Sequence, residues 1–223
     1  MFFPVGDQNI VKGNKPILTY FLLAINIAIF VFQFSLSPQA QQEFVFTYGS
    51  IPREIMHGED LFTLFTCMFL HGGWMHLIGN MMFLWVFADN IESTVGSFRF
   101  LLFYLAAGIA ASLAHSILGP NSNIPCVGAS GAIAGVLGAY LVMFPKSQIQ
   151  ILFVVFLRTF SVSAVYFLGF WIVQQFMSGI GSLSATTIVN SGVAYWAHIG
   201  GFVFGVLGGF FMRSKAKQMT LSV

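Results

Sequence analysis

The chain has 223 residues, of which 57% are apolar and only 7% charged, against roughly a quarter charged in an ordinary soluble domain. Nine Lys and Arg against seven Asp and Glu leave a formal net charge of +2, too small and too dispersed for a nucleic-acid footprint, so no DNA or RNA partner is expected. This composition excludes a soluble globular domain and describes an integral membrane protein.

In chain order, residues 1–16 read as a cytoplasmic N-terminal segment. The first long apolar run, Ile17 to Leu36, matches a full bilayer crossing and lacks a small-residue cleavage site, so it is expected to be a retained span rather than a signal peptide. The connection Ser37 to Leu70 carries Glu43, Glu54, Glu59, Asp60, several aromatic residues and Pro52, the pattern of a partly helical cap in the membrane interface. Further spans are predicted at His71 to Ala88, Phe100 to Leu118, Val127 to Phe144, Val162 to Ile180 and Gly192 to Met212. Ser147 to Leu157 is apolar but only 11 residues long, bracketed by Lys146 and Arg158, and is expected to lie in the interface or dip partway in. The connections Gly119 to Cys126 and Gly181 to Ser191 are short and uncharged, as flexible rims are. Residues 213–223 form a basic tail, and no repeat or second domain interrupts residues 1–223. The expected architecture is therefore an all-α polytopic membrane domain with a six-helix core over residues 17–212.

Basic residues test that count, because Lys and Arg accumulate in cytoplasmic loops. With six spans and both termini inside, Lys12, Lys15, Arg99, Lys146, Arg158, Arg213, Lys215 and Lys217 all fall on the cytoplasmic side and only Arg53 lies outside. Seven spans would move the C-terminal cluster out.

In that topology spans two, four and six all start at the outer face, and each carries polar residues near its start. Ser130 is expected about three residues into its helix and His198 about six, which at 1.5 Å per residue differ by only a few ångströms in depth. Glycines follow both at the same spacing: Gly131, Gly135 and Gly138 after the serine, and Gly201, Gly205 and Gly208 after the histidine. Small residues so spaced let membrane helices approach closely, a pattern also common in helices that catalyse nothing. His76 and Asn80 are four apart and share a helix face at the same level. Their N–H donors, with the backbone N–H of Ser130, suit the oxyanion of a tetrahedral intermediate. The only acids in this part of the chain, Asp89 and Glu92, lie too deep: Asp89 is 13 residues below His76, roughly 20 Å along a helix. The residues therefore describe a Ser130–His198 dyad rather than a triad. No His-Glu-x-x-His occurs, and His71 and His76, five apart, lie on different helix faces, so neither a metal site nor any other cofactor is expected. Cys67 and Cys126 have no CxxC spacing, and whether they pair is left open.

These residues resemble the rhomboid intramembrane serine proteases of prokaryotic type. His71-Gly72-Gly73-Trp74-Met75-His76-Leu77-Ile78-Gly79-Asn80 is similar to the family's second-helix motif, ending in the His and Asn assigned to oxyanion stabilisation. Gly128-Ala129-Ser130-Gly131 resembles its nucleophile motif, and Ala197-His198 with Gly201 and Gly205 its last-helix base and glycine pair. The similarity runs from about Tyr48 to Gly209 and includes Ala88-Asp89-Asn90-Ile91-Glu92, where members carry a structural acid. Two positions depart from it. The Trp-Arg pair of many members is replaced near Phe62 and Thr63, and the aromatic that in some members stacks on the histidine is here Ala134.

The resemblance implies cleavage of peptide bonds in or near transmembrane segments of membrane proteins, with Ser130 as nucleophile and His198 as base. His71, at the mouth of the second span, is a candidate for holding the hydrolytic water, or equally a rim residue satisfied by loop backbone. Transmembrane protein substrates and the lipid bilayer are the expected partners. The expected location is a bacterial cytoplasmic membrane, with the site open to the extracytoplasmic side. Two other readings remain open here: a catalytically inactive rhomboid-like binding factor, and a small transporter using intramembrane His76, Asn80 and His198.

Overall fold

A computed structural model describes residues 2–8, 10–11, 13–153, 156–184, 193–216 and 220–221. Lys12, Lys217, the rim from 185 to 191 and the predicted span start at Gly192 lie outside them. Each predicted span contains a helix: α1 (Ile17–Ser35), α5 (Trp74–Val95), α6 (Ser97–Leu118), α7 (Ser130–Met143), α8 (Ala164–Ser184) and α9 (Tyr195–Ala216). Four of these, α1, α6, α8 and α9, are long and apolar enough to cross a membrane by length and composition alone. Bulky side chains on their outer faces are bare, such as Phe98 and Phe170 at 73% and Phe211 at 86% exposure, which suits contact with lipid rather than water.

The core is built around α7. Every residue from Gly131 to Tyr140 is buried, and at 14 residues the helix is about 21 Å long, well short of a roughly 30 Å hydrocarbon layer. It is short because a full crossing is unnecessary for a helix enclosed by others. α9 and α6 pack against it, and glycine sets the distance: a Cβ at Gly205 would overlap the carbonyl of Gly135, and one at Gly201 the carbonyl of Gly131. The expected glycine register needs one correction. Gly208 faces Phe103 on α6, while Gly209 takes the next place against α7 beside Ala139. An α-helix advances 3.6 residues per turn, so the face reached at 201 and 205 returns at 209.

The end of the bundle remote from Ser130 and His198 holds strands absent from the all-α expectation. β1 (Phe2–Gly6), β3 (Gln148–Phe153) and β4 (Arg158–Ser163) form an antiparallel sheet in the order β1-β3-β4, and β2 (Ile10–Val11) pairs with β5 (Thr220–Leu221). The apolar stretch after Lys146 is thus the first strand of a hairpin. Exposed Gln148 and Gln150 alternate with buried Ile149 and Ile151, a period of two that no helix face accommodates. Val162 correspondingly belongs to β4, so the fifth helix starts at Ala164.

A carboxylate joins α1 to α5. Glu92, fully buried, accepts hydrogen bonds from the backbone N–H of Leu18 (2.8 Å) and Thr19 (2.7 Å), from Thr19 Oγ1 (2.7 Å) and from Ser97 Oγ (2.5 Å). The first amides of a helix lack intrahelical acceptors, and the positive end of its dipole favours an anion there. Glu92 occupies that place on α1, which explains a buried acid with no cation beside it among the described residues.

The connection from Ser37 is helical in part, as expected: α2 (Pro38–Tyr48), α3 (Pro52–His57), α4 (Thr63–Thr66) and a 3₁₀ turn at Cys67–Phe69. α2 begins with Pro at its first position and Ser37 Oγ accepting from Ala40 N–H (3.3 Å), a standard helix start. Ser50 and Cys126 exchange two backbone hydrogen bonds (3.0 and 2.8 Å), tying this cap to the segment that leads into α7.

Candidate active site

The path into α7 determines where Ser130 points. Gly128 N–H donates to the Cys67 carbonyl (2.9 Å), and Gly128 itself has φ +127°, a region closed to side chains. Ala129 is already helical, so Ser130 is the first residue of α7 rather than the third. His198 is the fourth residue of α9, which begins at Tyr195. The shift is the same in both helices, and the three-residue difference in depth is retained.

Ser130 and His198 meet. His198 Nε2 lies 2.8 Å from Ser130 Oγ, across the α7–α9 contact that Gly201 and Gly205 make close. The other ring nitrogen, Nδ1, lies 2.8 Å from Gln175 Oε1 on α8. An amide oxygen only accepts, so Nδ1 carries the hydrogen and Nε2 is left as an acceptor for the serine hydroxyl. One turn earlier on α8, Trp171 lies against the imidazole with ring centroids 5.8 Å apart and planes at 35°. Neither Gln175 nor Trp171 was among the sequence-predicted site residues. Their signal was an amide and an aromatic four apart in a largely apolar span, a spacing that puts both on one helix face. They contact the imidazole, whereas position 134 offers only a small, fully buried Ala.

His76 and Asn80 face the same space from α5. Gly72 N–H donates to His76 Nδ1 (3.3 Å), which assigns the hydrogen of that ring to Nε2. A Cβ added to Gly128 would sit 2.7 Å from His76 Nε2 and 3.5 Å from Asn80 Nδ2. The glycine therefore leaves open a small space that these two donors border. Asn80 is 7% exposed and its Nδ2 makes no hydrogen bond among the described residues. A buried amide donor left free is uncommon and costs roughly 1–3 kcal/mol, and here it leaves a donor available at the edge of that space. With the first-turn amides of α7, which have no intrahelical acceptor, the pocket offers N–H donors from three directions.

His71 is fully buried beside these residues, its ring centroid 5.2 Å from that of His76. Its backbone is held at both ends by Gln33 of α1, whose Nε2 donates to the His71 carbonyl (2.8 Å) and whose Oε1 accepts from its N–H (3.3 Å). Neither ring nitrogen meets a hydrogen-bond partner among the described residues.

Comparison with known proteins finds similarity over most of the chain. A family model described as "Rhomboid domain" matches residues 58–215. The chain is 32% identical over 205 residues to "Rhomboid protease GluP" of Bacillus subtilis, covering 92% of this chain and 36% of that protein. It is 31% identical over 218 residues to "Rhomboid protein 1, mitochondrial" of Saccharomyces cerevisiae, covering 93% of this chain and 56% of that protein. It is 34% identical over 158 residues to "RHOMBOID-like protein 4" of Arabidopsis thaliana, 71% of this chain and 36% of that protein. The chain thus spans between about a third and just over half of the length of these relatives.

Proposed function

The chain belongs to the rhomboid family, and from that premise we propose that it is a serine endopeptidase acting within the membrane on transmembrane protein substrates. The observation that carries the reading is the 2.8 Å contact of Ser130 Oγ with His198 Nε2 at the head of a short, enclosed helix.

In this reading His198 Nε2 takes the proton of Ser130 as its oxygen attacks the scissile carbonyl, and returns it to the leaving amine. Charge developing on the carbonyl oxygen is met by Nε2–H of His76, Nδ2–H of Asn80 and the first-turn N–H groups of α7, donors already in place before the charge forms. Water then hydrolyses the acyl-enzyme. His71, buried with both ring nitrogens free among the described residues and its ring beside that of His76, is the residue to hold that water. A substrate helix must unwind locally before its carbonyl is open to attack, because within a helix every carbonyl is hydrogen-bonded and shielded. In this reading the membrane is a bacterial cytoplasmic one, and the distribution of Lys and Arg supports an orientation in which the dyad opens to the extracytoplasmic face.

The test is co-expression with a panel of tagged single-span proteins, together with labelling of the purified protein by a serine-reactive phosphonate. Ser130→Ala and His198→Ala are each expected to abolish cleavage, and Ser130→Ala to abolish labelling. Labelling that persists unchanged in Ser130→Ala would sink the assignment.

A further inference from the structure

We infer that Gln175 is the third member of the site: a positioning residue whose amide oxygen holds the hydrogen of His198 on Nδ1 and aims Nε2 at Ser130. This rests on the serine-protease reading above and deepens it.

A neutral imidazole exchanges between two tautomers, and only the one with Nδ1–H can accept the serine proton at Nε2. In soluble serine proteases a buried carboxylate below the histidine makes that choice, and replacing its acceptor by a group that favours the other tautomer costs about 10⁴ in rate. Here the acids cannot serve: Glu92 is committed to the start of α1, and Asp89 hydrogen-bonds the N–H of Asn90 at the remote end of α5. Gln175 Oε1, 2.8 Å from Nδ1, supplies an acceptor without a charge. Within hydrocarbon that difference matters, because an ionised carboxylate is expensive to bury and an amide far less so.

The surroundings make this more than a chance contact between helices. Gln175 is 6% exposed, whereas its neighbours Val173, Gln174, Phe176 and Met177 are exposed, so it lies on the inward face of α8 with Leu168 and Gly179. Trp171, one turn away, covers the imidazole face while also packing against Phe202 of α9 at 6.1 Å. The amide and the indole thus restrain the ring from its edge and its face. A glutamine serving only to join α8 to α9 could bond any backbone group; this one meets the nitrogen directly opposite the serine.

The inference predicts a spectroscopic signature independent of activity. In the intact protein labelled with ¹⁵N-histidine in lipid nanodiscs, the His198 resonances, assigned by their loss in His198→Ala, are expected to show protonated Nδ1 and unprotonated Nε2 at neutral pH. Gln175→Leu, close in shape and without an acceptor, is expected to give a mixture of tautomers. It should also lower phosphonate labelling of Ser130, and kcat for a cleaved substrate, about 100-fold with KM changed less than about threefold. Gln175→Glu restores an acceptor and is expected to recover labelling to within about tenfold of the unsubstituted protein, and its spectrum to the Nδ1–H form. A spectrum of the unsubstituted protein with the hydrogen on Nε2 would overturn the inference. So would Gln175→Leu labelling at the original rate, or losing rate with the tautomer unchanged. If the Nδ1–H signature is present but Ser130 does not label at all, the protease reading fails while the role of Gln175 in setting the tautomer stands.

Discussion

At the residue scale, the most demanding position in the site is a glycine. Gly128 has a backbone conformation that L side chains rarely adopt, and the space a methyl group would take is the space between His76 Nε2 and Asn80 Nδ2. Gly128→Ala is therefore expected to act twice, by straining the turn into α7 and by filling the pocket proposed for the oxyanion. Rates of phosphonate labelling should fall by about 10²-fold or more, in the range seen when an oxyanion donor is removed, while the thermal midpoint in detergent moves by only a few degrees. Labelling at the original rate would show that the pocket lies elsewhere. Ser130, His198, His76 and Asn80 were legible in the sequence because each is a polar residue at one depth of an apolar chain, and motif spacing brought them together. Gln175 was not. Two adjacent glutamines in a span read as helix glue, and which of them meets a histidine more than twenty positions later depends on how α8 is rotated about its axis, which periodicity in so largely apolar a segment does not reveal.

At the element scale, the contact between α7 and α9 carries the dyad, and it exists because two backbones come within reach of each other. At Gly205 any Cβ would overlap the Gly135 carbonyl, a backbone atom that cannot move aside alone. Gly205→Leu is expected to push the helices apart, lowering the thermal unfolding midpoint by several degrees or preventing folding, and removing labelling at Ser130 in whatever folds. Gly208→Leu makes the comparison, since that residue faces the side chain of Phe103, which has rotameric freedom to yield; its cost should be clearly smaller. Equal losses would indicate that the α7–α9 spacing is not what these glycines protect. The six bundle helices were readable as apolar runs, although α7 is shorter than a bilayer crossing. The sheet at the other end was not, because its strands are short and one is contributed by the first residues of the chain, and pairing across about 150 residues has no local signal.

At the scale of the whole molecule, the N-terminal segment is fastened beneath the bundle by a half-buried acid. Tyr140 Oη–H and Asn90 Nδ2–H (2.8 Å) both donate to Asp7, Asn90 also donates to the Gln8 carbonyl (2.9 Å), and Ser147 Oγ lies 2.9 Å from Tyr140 Oη. Burial raises the Asp7 carboxyl to about 7, opposed by the Tyr140 and Asn90 hydrogen bonds and reinforced by the charge of Asp89. A carboxyl raised in the folded state favours folding most fully when protonated. Attachment of the segment is therefore strongest below about pH 4 and weakens as pH rises through about 7. Proteolysis of the N-terminal segment in detergent is expected to accelerate between pH 5 and pH 8, and Asp7→Asn, which keeps the acceptor and removes the charge, to flatten that rise. A slope unchanged in Asp7→Asn would place the controlling group elsewhere. Glu92 sets a condition of another kind. The first turn of α1 is completed by a carboxylate 73 and 74 positions further along the chain, a group synthesised after the helix it finishes. The start of α1 is thus settled only when the far end of α5 packs against it, so the two ends form as one unit and not in chain order.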